Sequence, residues 1–377
     1  MKSLKCRFCN SEKLISKILI NDFPLAPRST KLPRFDSFDF DIGFCENCFL
    51  IQQLSVVAPE ILYEEFKNDV IGEKLNNQKI SFSKYISQFL NNQMSVLEMS
   101  SGNGFIIKQL AESNNSIKFI ANDYNLNFEN IYSNITKLDG DIHEYEFNEI
   151  DVFFSSHVFE HIENVRHHLK KIKSILKDGG LYISAIPLFE SWISNLNLNS
   201  FTPEHTIYPF EDDLVNYFNQ FGFQKISSEI YLDHSLFICF KNCGQLIEPI
   251  KSSNKVTLLE NFQKNLNGLS NFIQKIAHKH KRIVLWGANS STQLILNFVN
   301  RIEITENFFS VVDNSELKIG GYLFGTNIQI ESPQTITSLS KEDAVIVMLG
   351  TFDDEVKKQC SLINPRVQVY DKFMIFN

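Results

Sequence analysis

Three features of this 377-residue chain predict an α/β protein built on a doubly wound sheet. From position 95 onward, short apolar runs alternate with amphipathic ones. The first apolar run, "VLEMSSGNGF" at 96–105, passes through an acid into a loop of small residues. The same strand, small-residue turn and helix recur near the carboxyl end, in "RIVLWGANSSTQLILNFV". Such a rhythm lays parallel strands beside one another with helices on both faces, and places ligands at the carboxyl edge of the strands.

Each element follows from its local pattern. "SVLEMS" reads as a strand, "GFIIKQLAES" as a helix, "IKFIAND" and "IDVFFSSHV" as strands, "VRHHLKKIKSIL" as a helix and "GGLYISAIP" as a strand. In "EDDLVNYFNQF" acids fill the first turn and Gly222 follows the end, which marks an ordinary helix. Positions 246–280 are polar with a helical period and read as a connecting helix. A second Rossmann-like unit follows over 281–377, with the turn Gly287-Ala288-Asn289-Ser290 and a strand ending in Asp313. That turn is not G-x-G-x-x-G, so a dinucleotide is weakly supported there. The expected divisions are therefore 1–65, 66–245, 246–280 and 281–377.

Composition narrows the function. With 43% hydrophobic and 21% charged residues and 34 Phe, the chain has a globular profile. A formal charge of −8 without a basic run argues against nucleic acid as partner. Because no window has enough consecutive apolar residues for a membrane helix, a soluble cytoplasmic protein is expected, as monomer or homodimer.

Cys6 and Cys9 in "CRFC", and Cys45 and Cys48 in "CENC", form two C-x2-C knuckles. Two knuckles offer four thiolates to one tetrahedral Zn2+ and leave no open position, so the expected role is structural. Cys239, Cys243 and Cys360 fit no ligand pattern.

At the carboxyl edge of the core's first strand stands Glu98, followed by Ser100, Gly102 and Gly104 with Asn103 between them. A carboxylate there repels a pyrophosphate and suits a cation. S-adenosylmethionine carries an ammonium and a sulfonium and has no phosphate. Asp123, with Tyr124 beside it, ends the second strand where a carboxylate can take both ribose hydroxyls. Asp141 and Ile142 in "GDIHEY" fall where an adenine can be read, and His157 lies at the cofactor mouth. His161, four residues on, is expected to pack or cap locally.

These stretches resemble the E/D-x-G-x-G-x-G element of class I S-adenosylmethionine-dependent methyltransferases, with Ser100 in place of the first glycine. "FFSSHVFEHIENVRHHLKKIKSILKDGGLYISAIP" is similar to the stretch from their fourth strand to their fifth. The layout of cysteine knuckles, methyltransferase core and further α/β unit resembles the sugar C-methyltransferases, which act on nucleotide-linked 4-keto deoxysugars. Their catalytic stretch reads like Y-x-E-H-x-x-Y-F-S, and here Glu204, His205 and Tyr208 match while Thr202 replaces the first Tyr. The resemblance implies His205 as general base, Glu204 as its partner, Tyr208 in the pocket, and Tyr63 or Phe66 as a second aromatic. The family's "HGGS" appears only as "DHSLF" at 233–237, and its Trp-Asn pair near Gly350 is missing. Those departures leave carbon and oxygen both open as the methyl acceptor.

Overall fold

The computed structural model describes residues 5–26, 29–55, 57, 62, 73–126, 128–129, 131–147, 149–244, 255–299 and 308–375. The cysteine-bearing stretch forms β1 (Leu14–Pro24), β2 (Ser29–Thr30), β3 (Ser37–Cys45) and β4 (Ile51–Gln53). β1 and β3 pair antiparallel, with Leu14 opposite Cys45, and β4 extends the sheet beyond β3. Alternation in "FDFDIGF" sends Phe40, Ile42 and Phe44 to one buried face. That register brings both knuckles to the same end of the hairpin.

The core begins with α1 (Glu73–Ser87), β5 (Ser95–Met99), α2 (Phe105–Glu112), β6 (Lys118–Asp123) and β7 (Ile135–Asp139). It continues through β8 (Ile150–Ser156), α3 (Val165–Ile175), β9 (Leu176–Pro187), α4 (Phe189–Ser194), α5 (Glu211–Asn219), β10 (Phe223–Tyr231) and β11 (Ser235–Asn242). The strands form one sheet in the order β10-β11-β9-β8-β5-β6-β7. Neighbouring residues of a central strand serve opposite faces, as the pleat requires. Val96 packs with α1 and α2, whereas Leu97 packs with α3 and α5. The sheet is parallel except for β11, which runs antiparallel to both neighbours. The reason is local: only residues 232–234 join β10 to β11, too few for a crossover. This arrangement fits the class I methyltransferase sheet.

The predicted connector forms α6 (Lys255–Lys279), and it does more than connect. Leu259, Phe262, Leu266, Leu269, Ile273 and Ile276 recur every three or four residues and are all buried. They share one core with Ile18 and Phe40 of the cysteine module, Phe201 and Tyr208 of the core, and Ile283 and Ile346 beyond the helix. At the start of α6, Lys255 is 1% exposed and pairs with Asp213 and, at 3.2 Å, with Asp212. Removing one partner of a buried pair strands a charge, so Lys255→Ala is expected to cost about 3–5 kcal/mol. A lower urea midpoint at unchanged slope is the reading that checks it.

The last unit contains β12 (Ile283–Trp286), α7 (Ser290–Val299), β13 (Phe309–Val312), β14 (Tyr322–Leu323) and β15 (Ile330–Glu331). β16 (Ala344–Val347), α8 (Asp353–Ile363) and β17 (Gln368–Tyr370) complete it. Five strands form a parallel sheet ordered β15-β13-β12-β16-β17, while β14 pairs with β2 of the cysteine module. In its first turn, Asp313 Oδ2 accepts from the Ala288 N–H at 2.8 Å and pairs with Lys318 at 3.4 Å. The Asp313 carboxylate therefore already takes one backbone N–H of this turn. Among the described residues, no helix is long and apolar enough to cross a membrane.

Candidate active site

In the core sheet, Glu98 stands level with Ala121 of β6 and Phe154 of β8, so the expected cofactor residues gather at one strand edge. The loop after β5 is left-handed at Ser100 (φ 58°), Gly102 (φ 53°) and Gly104 (φ 69°). At Gly104 an added Cβ meets the Phe128 ring at 2.8 Å, so only glycine fits. Gly102 faces open space instead, which lets a ligand approach its backbone. Ser100 holds a conformation glycine adopts more cheaply, the cost of its departure from the family pattern. Asn103 is used locally: its Oδ1 accepts from the Phe105 N–H at 3.2 Å at the start of α2.

Glu98 is 3% exposed, and its Oε2 has no hydrogen-bond partner. Burial pushes its carboxyl up to about 8, although Ser101 and the Ile107 backbone N–H draw it partly back. Asp123 arranges the loop, since Oδ2 accepts from the Gly102 N–H and Oδ1 from the Asn125 N–H, both at 2.9 Å. Each oxygen keeps a second lone pair. Tyr124 is 74% exposed beside it. Asp141 Oδ1 accepts from the His143 N–H at 2.9 Å and meets His143 Nδ1 at 2.7 Å, while Ile142 is buried. His157, left-handed at φ 54°, contacts Glu160 at 3.3 Å and Ser235 at 3.2 Å from the end of β8.

The loop 201–210 runs between β4 and the turn after β8. The Gln53 N–H donates to the Thr206 carbonyl at 3.0 Å, and the Tyr208 N–H to the Ile51 carbonyl at 2.9 Å. From the other side the Thr206 and Ile207 N–H groups donate to the Glu160 carbonyl at 2.9 and 3.2 Å. Ser290 at the start of α7 donates to Thr202 Oγ1 at 3.0 Å, so this threonine ties the loop to the last unit. His205, held on this braced backbone, is 9% exposed. Its Nδ1 lies 3.4 Å from the Ser200 carbonyl, which leaves Nε2 to act as acceptor. Burial lowers its pKa to about 3, so the imidazole is neutral at ordinary pH.

Tyr208 does not face open space. It is fully buried between Phe189 and Phe201 and donates its hydroxyl to the His205 carbonyl at 3.1 Å. Glu204 lines a small cavity of about 30 Å³ together with Arg7, Gln53, His161 and Glu163. His161 packs locally, its Nδ1 2.9 Å from the Glu204 carbonyl and its ring 5.1 Å from that of His205. Glu160 is absent from the sequence-derived set; its carboxylate and the His161 and His205 nitrogens lie within 4.8 Å of one another. Tyr63 and Phe66 lie outside the described residues.

The four knuckle cysteines come together. Sγ of Cys6 and Cys48 are 3.5 Å apart, as are those of Cys9 and Cys45. Four thiolates around one Zn2+ stand about 3.8 Å apart, so the set fits a tetrahedral ion. From inside the first knuckle, the Arg7 N–H donates to Gln52 Oε1 at 3.1 Å and its guanidinium to the Gln53 carbonyl. The knuckle thus supports the strand on which the His205 loop is hung. Of the other cysteines, Cys239 and Cys360 are buried and Cys243 is exposed.

Two family models match this chain. Residues 71–228 match one described as a methyltransferase domain, and residues 248–367 one described as a C-methyltransferase C-terminal domain. The chain is a methyltransferase. Its donor is S-adenosylmethionine. No curated protein matches the methyltransferase in sequence. Its fold is similar to a protein from Pyrococcus horikoshii at 13% identity, covering 48% of this chain and 97% of that one, with TM-score 0.39. It is also similar to an S-adenosylmethionine dependent methyltransferase from Aquifex aeolicus at 14% identity, covering 46% and 100%, with TM-score 0.36. Human N-acetylserotonin methyltransferase in complex with its methyl donor is 14% identical over 45% and 53%, with TM-score 0.37.

Proposed function

We propose that the enzyme methylates a nucleotide-linked keto deoxysugar at the carbon beside its carbonyl, with His205 as general base. The observation that carries this reading is His205 itself: a neutral, buried imidazole whose Nδ1 faces a carbonyl, on a loop pinned from three sides. Such a base takes the proton from carbon at Nε2, and the resulting enolate carbon becomes the nucleophile. S-adenosylmethionine supplies an electrophilic methyl group on a sulfonium. Tyr208 fixes the His205 backbone, and Glu204 presents a carboxylate to the cavity beside it. The match of residues 248–367 to a C-methyltransferase C-terminal domain supports carbon over oxygen.

The same proposal gives the four cysteines a structural Zn2+. Chelation is then expected to unfold the cysteine module and abolish turnover, because β4 holds the His205 loop. Loss of one bound zinc together with loss of far-ultraviolet β signal checks this outcome. For the reaction, mass spectrometry over a panel of nucleotide-linked keto sugars is the direct test. Addition of one methyl group to carbon supports the reading, and addition only to a hydroxyl oxygen contradicts it.

A further inference from the structure

Glu160, His161 and His205 bring a carboxylate oxygen and two imidazole nitrogens within 4.8 Å of one another. Glu160 and His161 share one turn of 3-10 helix, Phe159–His161, and the hydrogen bonds from Thr206 and Ile207 to the Glu160 carbonyl lock His205 against it. Both imidazoles turn Nδ1 toward a backbone carbonyl, His161 toward Glu204 at 2.9 Å and His205 toward Ser200 at 3.4 Å. A carbonyl on Nδ1 fixes the tautomer and makes Nε2 the ligand atom, which is the outer arrangement of metal-bound histidines. A separate observation also points to a cation. Glu160 is fully buried, its Oε1 reaches His157 Nδ1 at 3.3 Å, and its Oε2 has no hydrogen-bond partner. A buried carboxylate oxygen in that state is costly unless positive charge is brought to it.

We infer that Glu160, His161 and His205 form a second transition-metal site, separate from the four cysteines, with one coordination position open. Two imidazoles and one carboxylate suit Zn2+ or Co2+ rather than Mg2+. A metal on His205 Nε2 removes the lone pair that the proposed reaction uses, so bound Zn2+ inhibits. The inhibition rests on His205 being the base; the site itself does not.

The test is metal content of the full chain after equilibration with micromolar Zn2+ and removal of free ion. The wild type is expected to hold two equivalents, and His161→Ala and Glu160→Gln one each. One equivalent in the wild type, or two in both variants, overturns the site. Co2+ loading keeps the comparison sound if a variant folds poorly. Thiolate-to-cobalt bands report the cysteine site, and loss of visible nitrogen-ligand bands from Glu160→Gln with those bands intact supports the second one. Loss of both sets together with native far-ultraviolet dichroism overturns its independence. Two equivalents without loss of turnover support the site and count against His205 as base.

Discussion

Replacing His205 by alanine is expected to lower kcat by about 10²–10⁴-fold, the usual contribution of a positioned general base. Affinity for S-adenosylmethionine is expected to stay unchanged, because the residues at hand for the donor, Glu98 and Asp123, lie at the ends of β5 and β6 and not on the 201–210 loop. The split distinguishes a base from a merely structural histidine. A collapse of the loop also disturbs Tyr208, whose hydroxyl depends on the His205 carbonyl and whose ring belongs to the shared core. Calorimetric titration with the donor and a thermal melt, run beside the turnover assay, separate the two. Equal losses in turnover, donor binding and melting temperature go against the assignment.

Glu98→Gln is expected to weaken donor binding about tenfold to a hundredfold, the worth of a charged hydrogen bond. It is also expected to change how stability depends on pH. The carboxyl sits at about 8 in the folded protein against 4.5 when unfolded, because burial disfavours its charge. Below 4.5 both states hold the proton and the contribution is complete. As pH rises from 4.5 to about 8 only the unfolded state ionises, so stability falls by about 1.4 kcal/mol per pH unit from this group. Glutamine keeps the shape and removes the slope, so the free variant is more stable than wild type at pH 8. A cation beside Glu98 favours the ionised form, so donor binding to the wild type releases a proton and tightens as pH rises toward 8. Calorimetry in buffers of different ionisation enthalpy reads that proton. Wild type and variant with the same pH dependence contradict the role given to Glu98.

The four central strands β5, β6, β8 and β9 were legible because they are short apolar runs, and α2, α3 and α5 because of their helical period; β7, β10, α1 and α4 were not read from the sequence. The reversed β11 was not, since a three-residue turn decides strand direction and nothing in the apolar pattern reports it. α6 reads as polar because its buried positions are diluted by charged neighbours, although their spacing marks a core stripe. At the site, Glu98 stands out by the small-residue loop after it, Asp123 by ending the second strand, and His205 by the Glu-His pair of a Pro-flanked loop that resembles the sugar C-methyltransferase stretch. Glu160 stays hidden in the sequence, as its distance from His205 depends on backbone hydrogen bonds to residues far along the chain. Tyr208 shows the converse case, where the residue type matches a pocket pattern and packing puts the ring in the core.

Hydrogen exchange at the substrate carbon isolates proton abstraction from methyl transfer. A nucleotide-linked keto sugar is incubated with the enzyme in deuterated water, without methyl donor, and the carbon beside the carbonyl is followed by magnetic resonance. Wild-type enzyme is expected to exchange that hydrogen for deuterium, and His205→Ala to leave it in place. Methyl transfer to the same sugar without any exchange in the wild type, or equal exchange in the variant, contradicts His205 as the base.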